Sequence, residues 1–240
     1  MEVIILYYIS RSGSTFLSKE LSSIKGIYIL PEFDLFDTLL SKKKSFNKKN
    51  IYDAVGSDIK LSVQHKKKII KFINDYQIIS IQNFIFDLSK YLCSVWYEKN
   101  DVVKKIILKS NLCSLNTDIT YYLDNHFKSI SLKRNLIDIF LSQYNSLKLD
   151  GKRFNSNVLF FFIGYRYYNL RINNLNNTIH VKYFDLVNNK KDQIKNILSF
   201  LTIEYIELKK PTIHILTQQK YLHKNLNKRH INIDKKTVPD

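Results

Sequence analysis

Residues 8–17 read Tyr8-Ile9-Ser10-Arg11-Ser12-Gly13-Ser14-Thr15-Phe16-Leu17, overlapping the end of the apolar run Val3 to Ile9. A β-branched apolar run of that length predicts a strand. Thr15 to Ile24, with Leu17, Leu21 and Ile24 on one face, predicts a helix. Ser10 to Thr15 is therefore a strand-to-helix turn. Gly13 lets the backbone turn tightly and approach a ligand closely. The amides that open a helix lack intrahelical partners, and the helix dipole favours an anion beside them. Ser12, Ser14 and Thr15 add hydroxyl donors, and Arg11 adds a charged fork suited to phosphate or sulfate oxygens. The same residues also suit a plain Ser/Thr helix cap after a turn. A kinase-type phosphate loop needs Gly-x-x-x-x-Gly-Lys-Ser/Thr, and no lysine follows the glycine here. The Gly-x-Ser-x-Gly elbow of serine hydrolases is absent too.

Further strands are predicted at Ile27 to Leu30, Ile106 to Leu108, Ser129 to Leu132 and Thr178 to Val181. Helical spacing of apolar residues marks Asn83 to Tyr97, Ile137 to Leu147 and Gln193 to Leu201. Strands alternating with helices predict an α/β fold: a central parallel β-sheet flanked by helices on both faces. No Gly/Ser/Pro-rich linker divides the chain, so residues 1–240 are expected to form a single domain. Residues 41–75 are lysine-rich with weak periodicity and read as a peripheral, solvated addition, or as a loop that orders over a ligand. The polar, basic tail from about residue 218 reads the same way.

The 240 residues are 45% apolar and 25% charged, a folded composition rather than a disordered one. No apolar run approaches the roughly 20 residues that cross a bilayer, the longest candidate being Val158 to Ile163. No basic region precedes Val3 to Ile9, which argues against a signal peptide. A soluble, cytoplasmic protein is expected. Cys93 and Cys113 fit no metal-ligand spacing and read as buried thiols; with six scattered histidines, no metal is expected. The net charge of +17 suits an anionic ligand. Bias toward Lys, Asn and Ile, as in Lys42-Lys43-Lys44 and Lys66-Lys67-Lys68, accounts for part of it, so charge alone does not argue for a nucleic-acid partner.

Residues 129–144 repeat the strand-to-helix pattern, with Arg134 at the strand end and Asn135 as an expected helix cap. Asp138 follows three residues later in a capping-box-like position. Arg134 and Ser142, over two helical turns apart, suit a grip on one phosphate from two sides. An ordinary capped helix with an exposed serine has the same pattern.

Residues 8–17 resemble the 5′-phosphosulfate loop of sulfotransferases that use 3′-phosphoadenosine 5′-phosphosulfate (PAPS), in which Arg-Ser-Gly-Ser/Thr-Thr follows the first strand. The resemblance implies a P-loop NTPase-like sulfotransferase fold with Arg11, Ser12, Gly13, Ser14 and Thr15 as donor-binding residues. Residues 134–142 resemble the 3′-phosphate element of that family, Arg-Asn/Asp-Pro-x-Asp-x-x-x-Ser, which implies phosphate contacts from Arg134 and Ser142. Leu136 departs from the usual proline. Ile179 to Val187, followed by Ile197 to Leu201, is similar to the family's Tyr-Glu-Asp-Leu strand-turn and Phe-Leu helix, with Phe184 in place of the glutamate; that region is mainly structural in the family. The likeness covers roughly residues 3–40 and 105–205, leaving a variable acceptor-side insertion around 41–104.

Sulfuryl transfer to a hydroxyl is an in-line displacement that needs a base and cationic stabilisation. The resemblance implies Glu32, in Leu30-Pro31-Glu32-Phe33, as that base, with Asp34 in reserve; Pro-Glu also commonly opens a helix. Arg11 is expected to stabilise the phosphosulfate oxygen. Lys109, at the end of its strand, is expected beside the acceptor, or is one more lysine in a lysine-rich chain. Lys228 and Arg229, within Lys224 to Arg229, are candidates to close over the nucleotide. The expected cofactor is PAPS, with PAP as product and no metal. The Arg-Ser-Gly-Ser-Thr style is that of carbohydrate and tyrosyl-protein sulfotransferases, so the expected acceptor is a hydroxyl of a glycan or glycolipid. Two other readings are a kinase-like phosphotransferase, opposed by the missing Gly-Lys-Ser/Thr, and a non-catalytic polyanion-binding module, opposed by Glu32 and the two phosphate grips.

Overall fold

The computed structural model describes residues 1–30, 35, 47–58, 61–77, 80–96, 103–111, 125–149 and 158–204. Strand β1 (Glu2–Tyr8) is buried on both faces, which is why it reads as an unbroken apolar run rather than an alternating one. With β2 (Ile27–Ile29), β3 (Lys105–Asn111), β4 (Ser129–Lys133) and β5 (Thr178–Lys182) it forms a five-stranded sheet of order β2-β3-β1-β4-β5. Every pairing is parallel. All five strands lie where the apolar patterning predicts them, and β3 runs further, to Asn111.

Side chains alternate across a strand. Val3, Ile5 and Tyr7 enter one interior, and Ile4, Leu6 and Tyr8 enter the other. The second interior is closed by α1 (Ser14–Ser22), α7 (Tyr183–Asn188) and α8 (Lys190–Phe200), through Leu17, Leu21, Leu186, Ile194, Ile197 and Leu198. The first is closed by α2 (Lys48–Ser57), α3 (Val63–Asp75), α4 (Ile81–Trp96), α5 (Leu136–Leu149) and α6 (Val158–Asn173).

The reading of residues 41–75 as a peripheral addition is corrected for its described part. Ile51, Ala54 and Val55 of α2 and Ile69 and Ile73 of α3 are fully buried in the first interior. Lys67, Lys68 and Lys71 occupy the solvent side of α3, and their number hides the apolar stripe between them. Phe72 of α3 stacks on Tyr76 and Tyr91, and the Tyr76 hydroxyl donates to Asp87 Oδ2 at 2.7 Å, tying α3 to α4. The second departure is α6. Val158 to Ile163 stands out in the sequence only as a run too short to span a bilayer, yet it opens a 16-residue helix whose Phe161, Tyr165, Tyr168 and Ile172 face the sheet. Cys93 is buried as expected, and burial pushes its thiol up to about 11. Cys113 lies outside the described residues. Among the described residues, no helix is long and apolar enough to cross a membrane.

Two outcomes follow from this packing. Ile73→Ala should cost about 2–5 kcal/mol of unfolding free energy, as for a truncated core side chain, whereas Lys67→Ala on the same helix should stay within about 0.5 kcal/mol. Denaturant melts of both variants check this. Burial, then Lys68, lowers the pKa of His65; burial, then Lys133, lowers that of His180. The unfolded chain therefore binds more protons in the imidazole range, so the stability is present above the ordinary histidine value and lost as pH falls through it. The thermal midpoint should drop between about pH 7.5 and about pH 5.5, and less so in His180→Gln.

Candidate active site

Because the strands are parallel, their carboxyl ends gather along one edge of the sheet. Tyr8 lies opposite Asn111, and Lys133 opposite Lys182. The chain leaves β1 toward β2 and β3 on one side and later returns to β4 and β5 on the other. The crevice outside strand ends at such a reversal is where open α/β sheets bind ligands. The loop after β1, Arg134 after β4 and Tyr183 after β5 meet there.

The loop is built on two unusual backbone conformations. Arg11 has φ 74° and Gly13 has φ 97°, both left-handed. A non-glycine residue held in this region costs about 1 kcal/mol or more. Arg11 is held in place from two sides: the Ser12 amide donates to the Ile9 carbonyl at 3.0 Å, and Arg134 Nη1 donates to the Arg11 carbonyl at 3.1 Å. Asn111 Nδ2 donates to Ser10 Oγ at 3.3 Å, linking the loop to the tip of β3.

Gly13, not a serine or threonine, is the N-cap of α1, and no side chain caps the helix. The plain Ser/Thr cap is therefore not what these residues form. The opening amides of α1 stand without a side-chain acceptor, the condition for an anion site. Ser12 is fully buried, and its Oγ has no hydrogen-bond partner among the described residues. A buried hydroxyl left in that state is unfavourable until an acceptor arrives. Ser14 is buried and Thr15 half-buried at the start of the helix.

Glycine is needed at 13 for a reason the sequence does not carry. A Cβ there would stand 2.2 Å from Tyr183 Cδ2 and 2.3 Å from Cε2. The same Tyr183 ring has the Arg134 guanidinium 4.4 Å from its centroid, and Phe16 meets it edge-on. Tyr183 thus sits between the loop after β1 and Arg134. Within its similar segment it reads as structural in the sequence, and only the tertiary contacts give it this role.

Arg134, two residues before α5, lines up with the stripe of Asp138 and Ser142. Asp138 Oδ2 lies 3.9 Å from Arg134 Nε, an ion pair, and Ser142 follows one turn later on the same stripe. The expected capping box is corrected: the Asn135 side chain accepts from the Ile137 amide at 2.8 Å as expected, but Asp138 turns to Arg134 instead. Arg134 Nε is buried without a hydrogen-bond partner among the described residues, the Asp138 carboxylate standing beyond hydrogen-bond distance. From α6, the Tyr165 hydroxyl donates to the Arg134 carbonyl at 2.7 Å. The buried Tyr168 hydroxyl shares its proton between the Leu132 carbonyl at 2.9 Å and the Tyr7 carbonyl at 3.2 Å. The β1–β4 pairing stops at Tyr7 and Ser131, so Tyr168 clamps the two strands just where they part.

Lys109 does not end its strand, as β3 continues to Asn111. Its side chain is buried on the α1 side of the sheet, with Nζ 5.2 Å from the Tyr8 ring centroid. Glu32, Asp34, Lys228 and Arg229 lie outside the described residues. The buried Asp58 accepts from the Leu35 amide at 2.8 Å. Tyr165, Tyr168, Asn111 and Asp58 are absent from the sequence reading. The helical spacing of Tyr165 and Tyr168 with Phe161 and Ile172 is the signal that finds two of them; Asn111 and Asp58 carry none.

The Gly13–Tyr183 contact makes a quantitative prediction. Gly13→Ala should cost about 1–3 kcal/mol, from backbone strain and overpacking together. In a Tyr183→Ala background the same change should cost less, with a coupling of about 1 kcal/mol or more. Tyr183→Phe, which keeps the ring, should melt like the parent chain.

Neither a family model nor a curated protein sequence matches this chain. Solved structures do. The chain is similar to the sulfotransferase domain from the Synechococcus PCC 7002 olefin synthase, at 19% identity and TM-score 0.57, covering 100% of this chain and 90% of that one. It is similar to the sulfotransferase domain from the curacin biosynthetic pathway at 18% identity and TM-score 0.58, covering 100% and 93%. A sulfotransferase from Alicyclobacillus acidocaldarius matches at 11% identity and TM-score 0.54, over 99% and 97%. These likenesses span 90% or more of each chain and agree with the parallel sheet flanked by helices: the chain has the fold of the sulfotransferases.

Proposed function

We propose that the protein is a PAPS-dependent sulfotransferase that moves a sulfuryl group to a hydroxyl acceptor by in-line transfer. The observation that carries this reading is the direct contact of the two anion-binding elements: Arg134 donates to the Arg11 carbonyl, and both pack on Tyr183, in a sulfotransferase fold. The residues fit such a donor. Among the described residues the α1 amides have no side-chain cap, Ser12 Oγ is buried without a hydrogen-bond partner, and Arg134 Nε is buried with only the longer ion pair to Asp138.

Bound PAPS supplies the activated sulfuryl group. The α1 amides with Ser12, Ser14 and Thr15 hold the 5′-phosphosulfate, and Arg11 neutralises charge on the oxygens that develop it. Arg134 and Ser142 hold the 3′-phosphate, which separates this donor from ATP. Glu32 takes the proton of the acceptor hydroxyl, and Lys109 is the acceptor-side cation. Lys228 and Arg229 cover the nucleotide. The acceptor is a glycan or glycolipid hydroxyl, supported by the Arg-Ser-Gly-Ser-Thr loop and the net charge of +17. A single domain over 1–240 and a cytoplasmic location belong to the same reading.

Calorimetric titration with adenosine 3′,5′-bisphosphate and with ATP tests the donor. The bisphosphate should bind more tightly, and preference for ATP overturns the proposal in favour of a kinase-like enzyme. Arg134→Ala should weaken bisphosphate binding about 10- to 100-fold, the worth of a charged hydrogen-bond donor. Glu32→Gln should bind the bisphosphate as the parent does and fail to transfer sulfate; normal turnover removes Glu32 as the base. In a panel of saccharide, lipid and phenolic alcohols, saccharides should be sulfated first, and turnover confined to the others refutes the glycan assignment.

A further inference from the structure

The β4–β5 pair carries a polar ladder on the sheet face opposite the α1 side. In parallel register, Ser129 faces Thr178, Ser131 faces His180 and Lys133 faces Lys182. The Ser129 and Thr178 hydroxyls are hydrogen-bonded to each other, and Ser131 Oγ lies 2.6 Å from His180 Nδ1. Ser129 and Ser131 are buried, while His180 and Lys182 are exposed. On β1 and β3 this face is mostly apolar, through Val3, Ile5, Tyr7, Ile106 and Leu108, with the buried Ser110 as a polar exception. Lys133 is half-buried, and its ammonium donates to Asn173 Oδ1 at 2.5 Å, at the end of α6. It is therefore positioned rather than free in solvent.

Like charges directly opposite each other on paired strands are unfavourable. Here two lysines face each other with a histidine one pair behind. Among the described residues none of the three has an ion pair with a carboxylate. The arrangement already affects titration. Burial, then Lys182, lowers the pKa of Lys133; burial, then Lys133, lowers that of His180. The charged groups around His180 are thus Lys133 from β4 and Lys182 from its own strand, while α6 contributes the neutral Asn173. Ser131 Oγ is enclosed in the sheet, so the Ser131–His180 pair orients the imidazole and is no exposed nucleophile.

We infer that Lys133, Lys182 and His180 form a second oxyanion site, for a sulfate, phosphate-ester or similar group, separate from the Arg11–Arg134 grip. One oxyanion would accept from both ammonium groups and from His180, whose Nδ1 already faces Ser131. It would relieve the repulsion built into the pairing. Such a site suits a group on an acidic acceptor or a free inorganic ion, which share this chemistry.

The full chain with labelled histidine, followed by nuclear magnetic resonance, tests the inference. Inorganic sulfate should raise the His180 pKa by about one unit, saturably, as an opposite charge within a few ångströms does. Chloride at matched ionic strength should not. Lys182→Gln, at an exposed position, should weaken the effect, and Lys133→Gln with it should remove it while the melting temperature shows an intact fold. Arg134→Ala should leave the sulfate effect in place while bisphosphate binding falls. An effect that chloride reproduces, that does not saturate, that survives both lysine changes, or that disappears in Arg134→Ala overturns the site. If a sulfated disaccharide acts at lower concentration than sulfate, the site serves an acceptor; equal potency assigns it to the free ion. Failure of the donor reading, seen as ATP preference in calorimetry, leaves this outcome untouched.

Discussion

The ring of Tyr183 has the backbone of Gly13 against one part of it and the guanidinium of Arg134 4.4 Å from its centroid. Each contact needs something from a different strand end. Gly13 needs a left-handed backbone and no Cβ, Arg134 needs β4 to end one residue earlier, and Tyr183 needs β5 to turn straight into a helix. Move any one and the spacing between the loop and Arg134 changes. The Arg134 bond to the Arg11 carbonyl closes the cluster and holds a left-handed arginine. A site of this kind stores local strain and depends on its surroundings to maintain it.

Those surroundings are the sheet and α6. β1 is central and buried on both faces, so its carboxyl end cannot shift without disturbing two cores. Tyr168 holds the Tyr7 and Leu132 carbonyls where β1 and β4 separate, and Tyr165 holds the Arg134 carbonyl. These hydroxyls satisfy carbonyls that the ladder leaves behind, as buried backbone groups require. Opening the crevice therefore does not leave its rim unpaired. Among the described residues, Ser12 Oγ and Arg134 Nε lie buried without a hydrogen-bond partner at the rim where an anion is expected, and the hydroxyls of Ser18 and Ser89 share that state inside helices.

The opposite face of the β4–β5 edge shows what happens where the apolar covering stops. Polar side chains pair across the strands, ending in two facing lysines. The two cationic regions differ in kind. Arg134 is held by a carbonyl, an aromatic ring and a carboxylate. Among the described residues Lys133 is held by Asn173, and Lys182 extends from the edge strand.

The sheet was legible in the sequence because its strands are buried on both faces: hydrophobicity along the chain reports such burial directly. The turn at 10–15 and the pattern from Arg134 to Ser142 were legible as well, since a strand end followed by glycine, hydroxyls and arginine is a local device. Residues 41–75 read as peripheral in the sequence because burial of α2 and α3 rests on a few apolar positions among many lysines, and which face meets the core is decided by the sheet. Asp138 shows the same limit: its spacing fits a cap, and the nearby Arg134 charge attracts it instead. What only the tertiary structure decided are the partners: Tyr183 against Gly13, Tyr168 between β1 and β4, Asp58 on Leu35, Lys133 beside Lys182. These contacts join residues from 23 to 170 positions apart or depend on strand register. Local sequence determines which conformations each segment favours, but which side chains meet is set by how the two cores close around one sheet.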